Sequence, residues 1–341
     1  MGLFLEEGTG RPRALWRLLL QYWVYTVAVS LFATLLAVTW PLVSPGRAMG
    51  SPGELDRSFL SGSPTLPFIG SVAALMGTLL SVWLAGRFLD RRSFADFGFR
   101  LGGGWWLDLF FGMALGGFLM TVIFLAELGM GWITVTAAFR SLVPGTPFLI
   151  AMLIPATVFL CVGVYEELLA RGYQLRNAAE GLNLPFVGPR NAVLLAWVLS
   201  SAFFGYLHAG NPNATLSSTF NVALAGLMLG FGYVLTGELA IPIGLHTTWN
   251  FFQGSVFGFP VSGLRPVGAT FLSTDQDGPE LWTGGPFGPE AGLLGPAAMI
   301  LGGLLIALWV GLRNGKLAIH TPIAEGPKSD RPAGASSEPE G

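Results

Sequence analysis

An all-α polytopic membrane protein of about eight transmembrane helices is the fold class this sequence predicts. Three observations predict it. First, 52% of the 341 residues are hydrophobic and only 11% are charged, whereas a soluble domain is about 25% charged. Mean hydropathy is +0.60. Second, eight apolar runs are each long enough for a hydrocarbon core of about 30 Å. Third, the basic residues fall unevenly between alternate connecting segments.

In chain order, a basic N-terminal segment, residues 1–17, carries Arg11, Arg13 and Arg17 and is read as cytoplasmic. The run after it is too long for the apolar region of a cleavable signal peptide. The predicted spans are Leu18–Val43, Pro67–Phe88, Trp105–Ile133, Pro147–Leu175, Asn191–Ala209, Thr219–Leu235, Leu239–Phe257 and Leu293–Leu312. Trp23, Trp40, Trp105, Trp106 and Trp132 sit near proposed ends, as interfacial aromatics should. Taking the N-terminus as cytoplasmic puts fourteen of the 18 Lys and Arg on that side and four on the other. This supports eight spans with both termini inside. The transmembrane domain is thus 18–313. Val261–Ala291, rich in Gly and Pro, reads as an external loop with turns, and 314–341 reads as a disordered cytoplasmic tail.

Composition also excludes functions. A net charge of −2 gives no electrostatic case for nucleic acid. A single cysteine, Cys161, rules out a disulfide framework and a thiolate metal cluster, and reads as small apolar filler. No internal repeat is evident, which weakens an inverted-repeat transporter.

The polar residues inside the apolar runs carry the functional signal. Glu166 and Glu167 are adjacent in the fourth run, and each ionisable group there costs about 2.5–3.5 kcal/mol. Glu167 and Arg171 stand at i and i+4, a pairing distance on a helix. Glu166 is turned about 100° away, so it can face a cavity while Glu167 is held by Arg171. Phe204 and His208 repeat the i, i+4 spacing in the fifth run, and His246 and Asn250 in the seventh. Together these residues suit hydrolysis by activated water. A carboxylate can act as general base, and a histidine and an asparagine amide can serve a developing oxyanion. Zinc on Glu166, His208 and His246, with an open position for water, is a second mechanism that the residues leave open. A non-catalytic membrane scaffold and a proton-coupled transporter using the same groups as a relay are the alternatives from other classes.

Other intramembrane protease chemistries find no footing. The chain has no His-Glu-x-x-His segment, no Gly-x-Ser-Gly segment, and no aspartate deep in a span.

In order and spacing, Glu166-Glu167-x-x-x-Arg171, Phe204-x-x-x-His208 and His246-x-x-x-Asn250 resemble the three-part signature of the CPBP family. These are also called ABI or type II CAAX endopeptidase-like membrane proteases. The segment Arg91–Arg100 with Phe97-Gly98-Phe99 resembles the family's stretch ahead of the third span. The resemblance covers about 67–260. It implies a catalytic cavity between the fourth, fifth and seventh spans, with Glu166 polarising water together with His208. It implies that His246 and Asn250 stabilise the oxyanion, that Glu167 and Arg171 support the site, and that Phe204 shapes it. The implied partners are membrane lipids and a peptide or protein substrate, lipid-modified in the eukaryotic relatives that trim prenylated CAAX proteins. Some bacterial relatives act in bacteriocin self-immunity, the form a non-catalytic reading would take.

One geometric expectation conflicts with this. At about 1.5 Å per residue, Glu166 lies about 15 Å from an inner end at Arg176, and His246 about 10 Å from its own. His208 lies about 25 Å from Asn191. Straight spans with these ends do not bring the three together, so the sequence predicts a tilt, a kink at Gly205 or Gly210-Asn211-Pro212, or a fifth helix starting outside the bilayer.

Overall fold

A computed structural model describes residues 3–43 and 65–327. The helices are α1 (Ala14–Val43), α2 (Thr65–Ala85), α3 (Gly103–Gly129), α4 (Phe148–Glu167), α5 (Arg176–Leu182), α6 (Gly188–Leu207), α7 (Leu216–Thr236), α8 (Ala240–Phe251) and α9 (Leu294–Asn314). Wider π-helical turns extend α2 through Gly86–Asp90, join α4 to α5 through Leu168–Leu175, and extend α8 through Phe252–Val256. Local chemistry sets several ends. The Thr215 hydroxyl accepts the Ser218 N–H at the start of α7, and Gly237, left-handed at φ 71°, ends it.

Seven helices among the described residues are long and apolar enough to cross a membrane: those of α1, α2, α3, the continuous α4–α5, α6, α7 and α9. The polytopic, mostly helical architecture is therefore as the sequence predicts, with one span fewer meeting that criterion. The predicted seventh, Leu239–Phe257, is the short α8 and its π turn. Every residue from Ala240 to His246 is buried, so α8 is a core helix packed by protein.

Three further expectations are corrected. The third helix stops at Gly129, because Ile133 opens a strand, β1 (Ile133–Ser141), that pairs antiparallel with β2 (Ala269–Gln276). Thr134, Val135 and Thr136 supply the β-branched side chains that suit a strand. The segment Val261–Ala291 thus holds a strand as well as turns. The tail from 314 is not wholly disordered: Ile323 and Ala324 are buried, and the His320 N–H donates to the Val234 carbonyl at 2.8 Å. Residues 328–341 of that predicted tail lie outside the described residues.

Two contacts fix the bundle around the site. α3 and α8 approach backbone to backbone. A Cβ on Gly116 would fall 2.4 Å from the Leu245 carbonyl, and one on Gly244 would fall 2.3 Å from the Leu109 carbonyl. Small residues permit such close helix packing in membrane bundles. At one end of the bundle, the fully buried Arg17 pairs with Asp90 at 3.0 Å and Glu180 at 3.1 Å, and Tyr173 donates to Asp90 at 2.9 Å. These bonds tie α1, α2 and the α4–α5 helix into one unit.

Candidate active site

Glu166 and Glu167 close the α-helical part of α4, where the backbone widens into the eight-residue π segment Leu168–Leu175. Such segments inside helices occur frequently at functional sites. Glu167 is fully buried. Its Oε1 accepts two charge-assisted hydrogen bonds, from Arg171 Nη1 at 2.8 Å and from His246 Nδ1 at 2.8 Å. Arg171 is spent in turn. It also donates to the Gly226 carbonyl at 3.0 Å, and its guanidinium lies 4.5 Å over the Phe204 ring.

Glu166 occupies a different environment. Its side chain is 19% exposed, against zero for Glu167. Tyr165 donates to its Oε1 at 3.1 Å. Its Oε2 is buried, accepts no hydrogen bond from a described residue, and lies 3.9 Å from His246 Nε2. That separation exceeds a direct hydrogen bond and matches a pair bridged by one water.

The two histidines are oriented by opposite partners. His246 gives its Nδ1 hydrogen to Glu167, leaving Nε2 to face Glu166. His208, the residue that caps α6, has Nδ1 2.8 Å from the Phe204 carbonyl. A carbonyl only accepts, so His208 carries its hydrogen on Nδ1, and Nε2 is unprotonated in the neutral ring. Phe204 sits between them, its ring centroid 4.7 Å from His208 and 6.2 Å from His246. Asn250, one turn after His246, forms no hydrogen bond with a described residue through its side chain. A cavity of about 40 Å³ is lined by Phe204, His208, His246, Asn250, Ser262 and Glu290. At about 10–15 Å³ per water it has room for roughly three.

All seven residues singled out in the sequence therefore lie in one neighbourhood. The direct contacts differ in one respect from those implied by resemblance: it is His246, not His208, whose ring nitrogen faces Glu166. The conflict over helix levels has a simple cause, namely where the helices end. The α4–α5 helix continues to Leu182, and α6 begins at Gly188. Measured from that turn, Glu166 and His208 stand about 24 and 30 Å along antiparallel neighbours. α8 does not start at the turn. Leu239 sits beside Gly172 and donates its N–H to the Gly98 carbonyl at 3.0 Å. Six residues separate Gly172 from Glu166 and six separate Ala240 from His246, so the two side chains come level without a kink.

Sequence reasoning missed the roof. Glu290 is buried and accepts from the Ser262 N–H at 2.6 Å, from Ser262 Oγ at 3.0 Å and from Gln253. Burial pushes its carboxyl up, against these hydrogen bonds. The Ser262 carbonyl accepts from Asn211, three residues after His208. Phe287 packs with Phe204, Ala170 and Val222. Glu290 has no periodicity to give it away, and nothing local distinguishes it from Asp275, Asp277 and Glu280 in the same Gly/Pro-rich segment.

As placed, Glu166, His208 and His246 do not form a metal-holding group. No set of three His, Cys, Asp or Glu side chains converges in that way among the described residues. His246 Nδ1 and His208 Nδ1 are both engaged by protein acceptors, and both side chains line the small cavity.

Comparison with curated proteins and with solved structures gives no match. A family model does match: that of the type II CAAX prenyl endopeptidase Rce1-like proteins covers residues 146–252. The matched stretch contains all three motifs and the helices α4 to α8 that carry them. The match agrees with the CPBP resemblance: residues 146–252 of this multi-pass membrane protein are similar to the Rce1-like, type II CAAX prenyl endopeptidase family.

Proposed function

We propose that the chain is a membrane-embedded endopeptidase that hydrolyses peptide bonds with a water activated by Glu166. The observation that carries this reading is the asymmetry of the carboxylate pair. Glu167 is fully buried with its Oε1 held by both Arg171 and His246, while Glu166 is 19% exposed and presents Oε2 3.9 Å from His246 Nε2.

A water between Glu166 Oε2 and the histidine nitrogens gives its proton to Glu166 as its oxygen attacks the peptide carbonyl carbon. The C=O π electrons move to oxygen. The resulting oxyanion faces the Asn250 amide, which has two donors, and His246 Nε2, which donates when the ring is doubly protonated. Collapse of the tetrahedral species breaks the C–N bond, and the proton held by Glu166 passes to the leaving amine. His208, which lines the cavity beside His246 and carries a lone pair on Nε2 in the neutral ring, helps hold the water. Arg171 and Glu167 fix the His246 ring, and Phe204 separates the two histidines. No step runs through a metal.

The substrate is a peptide or protein at the membrane, with lipid-modified CAAX-type chains as the first class to test. Both termini lie on the cytoplasmic side in this reading, with α8 counted as a crossing because it starts beside Gly98, ahead of α3, and ends beside β2, beyond α3. The test is the purified protein in liposomes with two probes, a farnesylated CAAX-type peptide and an unprenylated transmembrane peptide. Cleavage of either, lost in Glu166→Ala and His208→Ala, is expected. Cleavage unaffected by both substitutions would overturn the assignment.

A further inference from the structure

Away from the candidate active site, a cleft of about 550 Å³ opens where α2 ends. Its lining combines the apolar Val82, Trp83 and Phe94 with the basic Arg87, Arg91 and Arg92. Phe97 forms part of the floor by packing on Gly86, where a Cβ would meet its ring at 2.7 Å.

The backbone gathers the arginines. The π turn Gly86–Asp90 ends at Arg91, which is left-handed at φ 53°, an uncommon conformation for a residue with a side chain. Both the Arg91 and Arg92 N–H groups return to the Gly86 carbonyl. The chain is thereby folded back so that three guanidinium groups border one space.

Their charge is poorly compensated. Arg87 is exposed and pairs with no carboxylate among the described residues. Arg91 is exposed too, and its guanidinium donates to the Thr9 carbonyl at 2.9 Å. Arg92, its side chain 95% buried, holds Glu180 at 2.8 Å and the Glu325 carbonyl, but its Nε has no partner among the described residues. Glu180 is shared with Arg11 and Arg17. The nearby Asp96 carboxylate is occupied by Ser93, accepting its N–H at 3.0 Å and its hydroxyl at 2.8 Å. Burial, then the neighbouring Arg176 charge, lowers the Arg92 guanidinium from its usual range, as expected where cations crowd.

The location identifies the anion. The cleft lies at the end of a membrane-spanning helix. Trp83 is 52% exposed on that helix and Phe88 is 68% exposed, the placement of interfacial aromatics. Basic pockets beside apolar surface at this level suit lipid headgroups. We propose that this cleft binds the phosphate-bearing headgroup of an anionic phospholipid. Arg87 and Arg91 meet the phosphate, Arg92 stands behind them, and the Trp83–Phe94 wall takes the glycerol and first acyl methylenes. This site is independent of the proposed proteolysis.

The test uses full-length protein in nanodiscs and measures dissociation constants for fluorescent phosphatidylglycerol and for fluorescent phosphatidylcholine. Wild type should prefer phosphatidylglycerol at least tenfold. Arg87→Gln should weaken that binding about fivefold, and Arg87→Gln with Arg91→Gln about 30-fold. Phosphatidylcholine binding should not change, and the paired Lys substitutions should restore most of the affinity. Should the double variant fail to fold, the exposed Arg87→Gln carries the test alone. An equal affinity of wild type for the two lipids, or unchanged binding in the Gln variants, would overturn the proposal. So would displacement of the lipid by inorganic phosphate at the lipid's own concentration, which would make this a free-phosphate site. A preference that emerges only after deletion of residues 328–341 would assign the cleft to the acidic tail instead.

Discussion

Glu167 Oε1 lies 2.8 Å from His246 Nδ1, and the same oxygen accepts Arg171 at 2.8 Å. One buried carboxylate thus fixes both the charge partner on its own helix and the imidazole on α8. It settles which ring nitrogen faces Glu166. It also sets Glu167 apart from Glu166: the carboxylate is fully buried and tied through Oε1 to Arg171 and His246, with only Oε2 left without a partner among the described residues.

The two glutamates should therefore respond differently to the same isosteric change. Glu167→Gln keeps an acceptor oxygen but removes the charge that holds Arg171 and His246. Turnover should fall about 10- to 100-fold through misplacement of the ring, with altered thermal stability. Circular dichroism and a melting curve beside the kinetics distinguish this from loss of fold.

Arg171→Ala leaves the Glu167 carboxylate buried and without its guanidinium. Breaking a buried pair in this way costs about 3–5 kcal/mol. Replacing both members, Glu167→Gln with Arg171→Met, should recover part of that stability without recovering activity. Chemical denaturation of the three variants in detergent is the measurement, and additive losses would contradict a direct pair.

The positions of the motif residues on their helices were legible in the sequence because i, i+4 spacing in apolar runs is local information. The Glu167–Arg171 pair needed nothing more. Seven of the eight predicted spans have the length and hydropathy of a membrane-spanning helix among the described residues; α8 does not, because it is short and packed by protein. The levels of Glu166, His208 and His246 were misjudged because the α4–α5 helix continues through the polar stretch Arg176–Leu182, which hydropathy reads as an end. Tertiary pairing also hid β1 and β2, since strands separated by more than a hundred residues leave no local hairpin signal. The same holds for Glu290, whose partners Gln253 and Ser262 come together only once the roof is folded.

The α3–α8 seam gives a steric prediction. Gly116→Val would press on the Leu245 carbonyl and Thr248 Oγ1, both 2.4 Å from a Cβ at that position. It should push α8 outward, destabilise the protein by about 1–3 kcal/mol and reduce activity together with stability. Gly303→Ala, with nothing within 4 Å of the added carbon, should leave both unchanged. Melting temperatures and turnover of the pair provide the check.

Glu290 predicts a pH dependence. Burial raises its carboxyl in the folded state, so folding favours the protonated form. Its contribution to stability is full below the ordinary glutamate value of about 4.3. It declines as pH rises from there through the raised value, and is flat beyond. The melting temperature of wild type minus that of Glu290→Gln should therefore fall with rising pH across that window. A difference that rises or stays level would contradict the burial of an ionisable group there.

Chelation separates the two hydrolytic mechanisms by the donors on the page. No trio of His, Cys, Asp or Glu ligands converges among the described residues, and the water activated by Glu166 needs none. Activity after dialysis against a strong chelator should match that of untreated enzyme within about twofold. Loss restored by zinc would contradict it.

The central claim is that Glu166 activates the attacking water. The direct measurement is kcat/KM of Glu166→Gln against wild type on whichever probe peptide is cleaved, with melting temperatures measured in parallel. The account predicts a fall of about 10²- to 10⁴-fold with the melting temperature preserved. Activity within tenfold of wild type in a folded Glu166→Gln variant would contradict it.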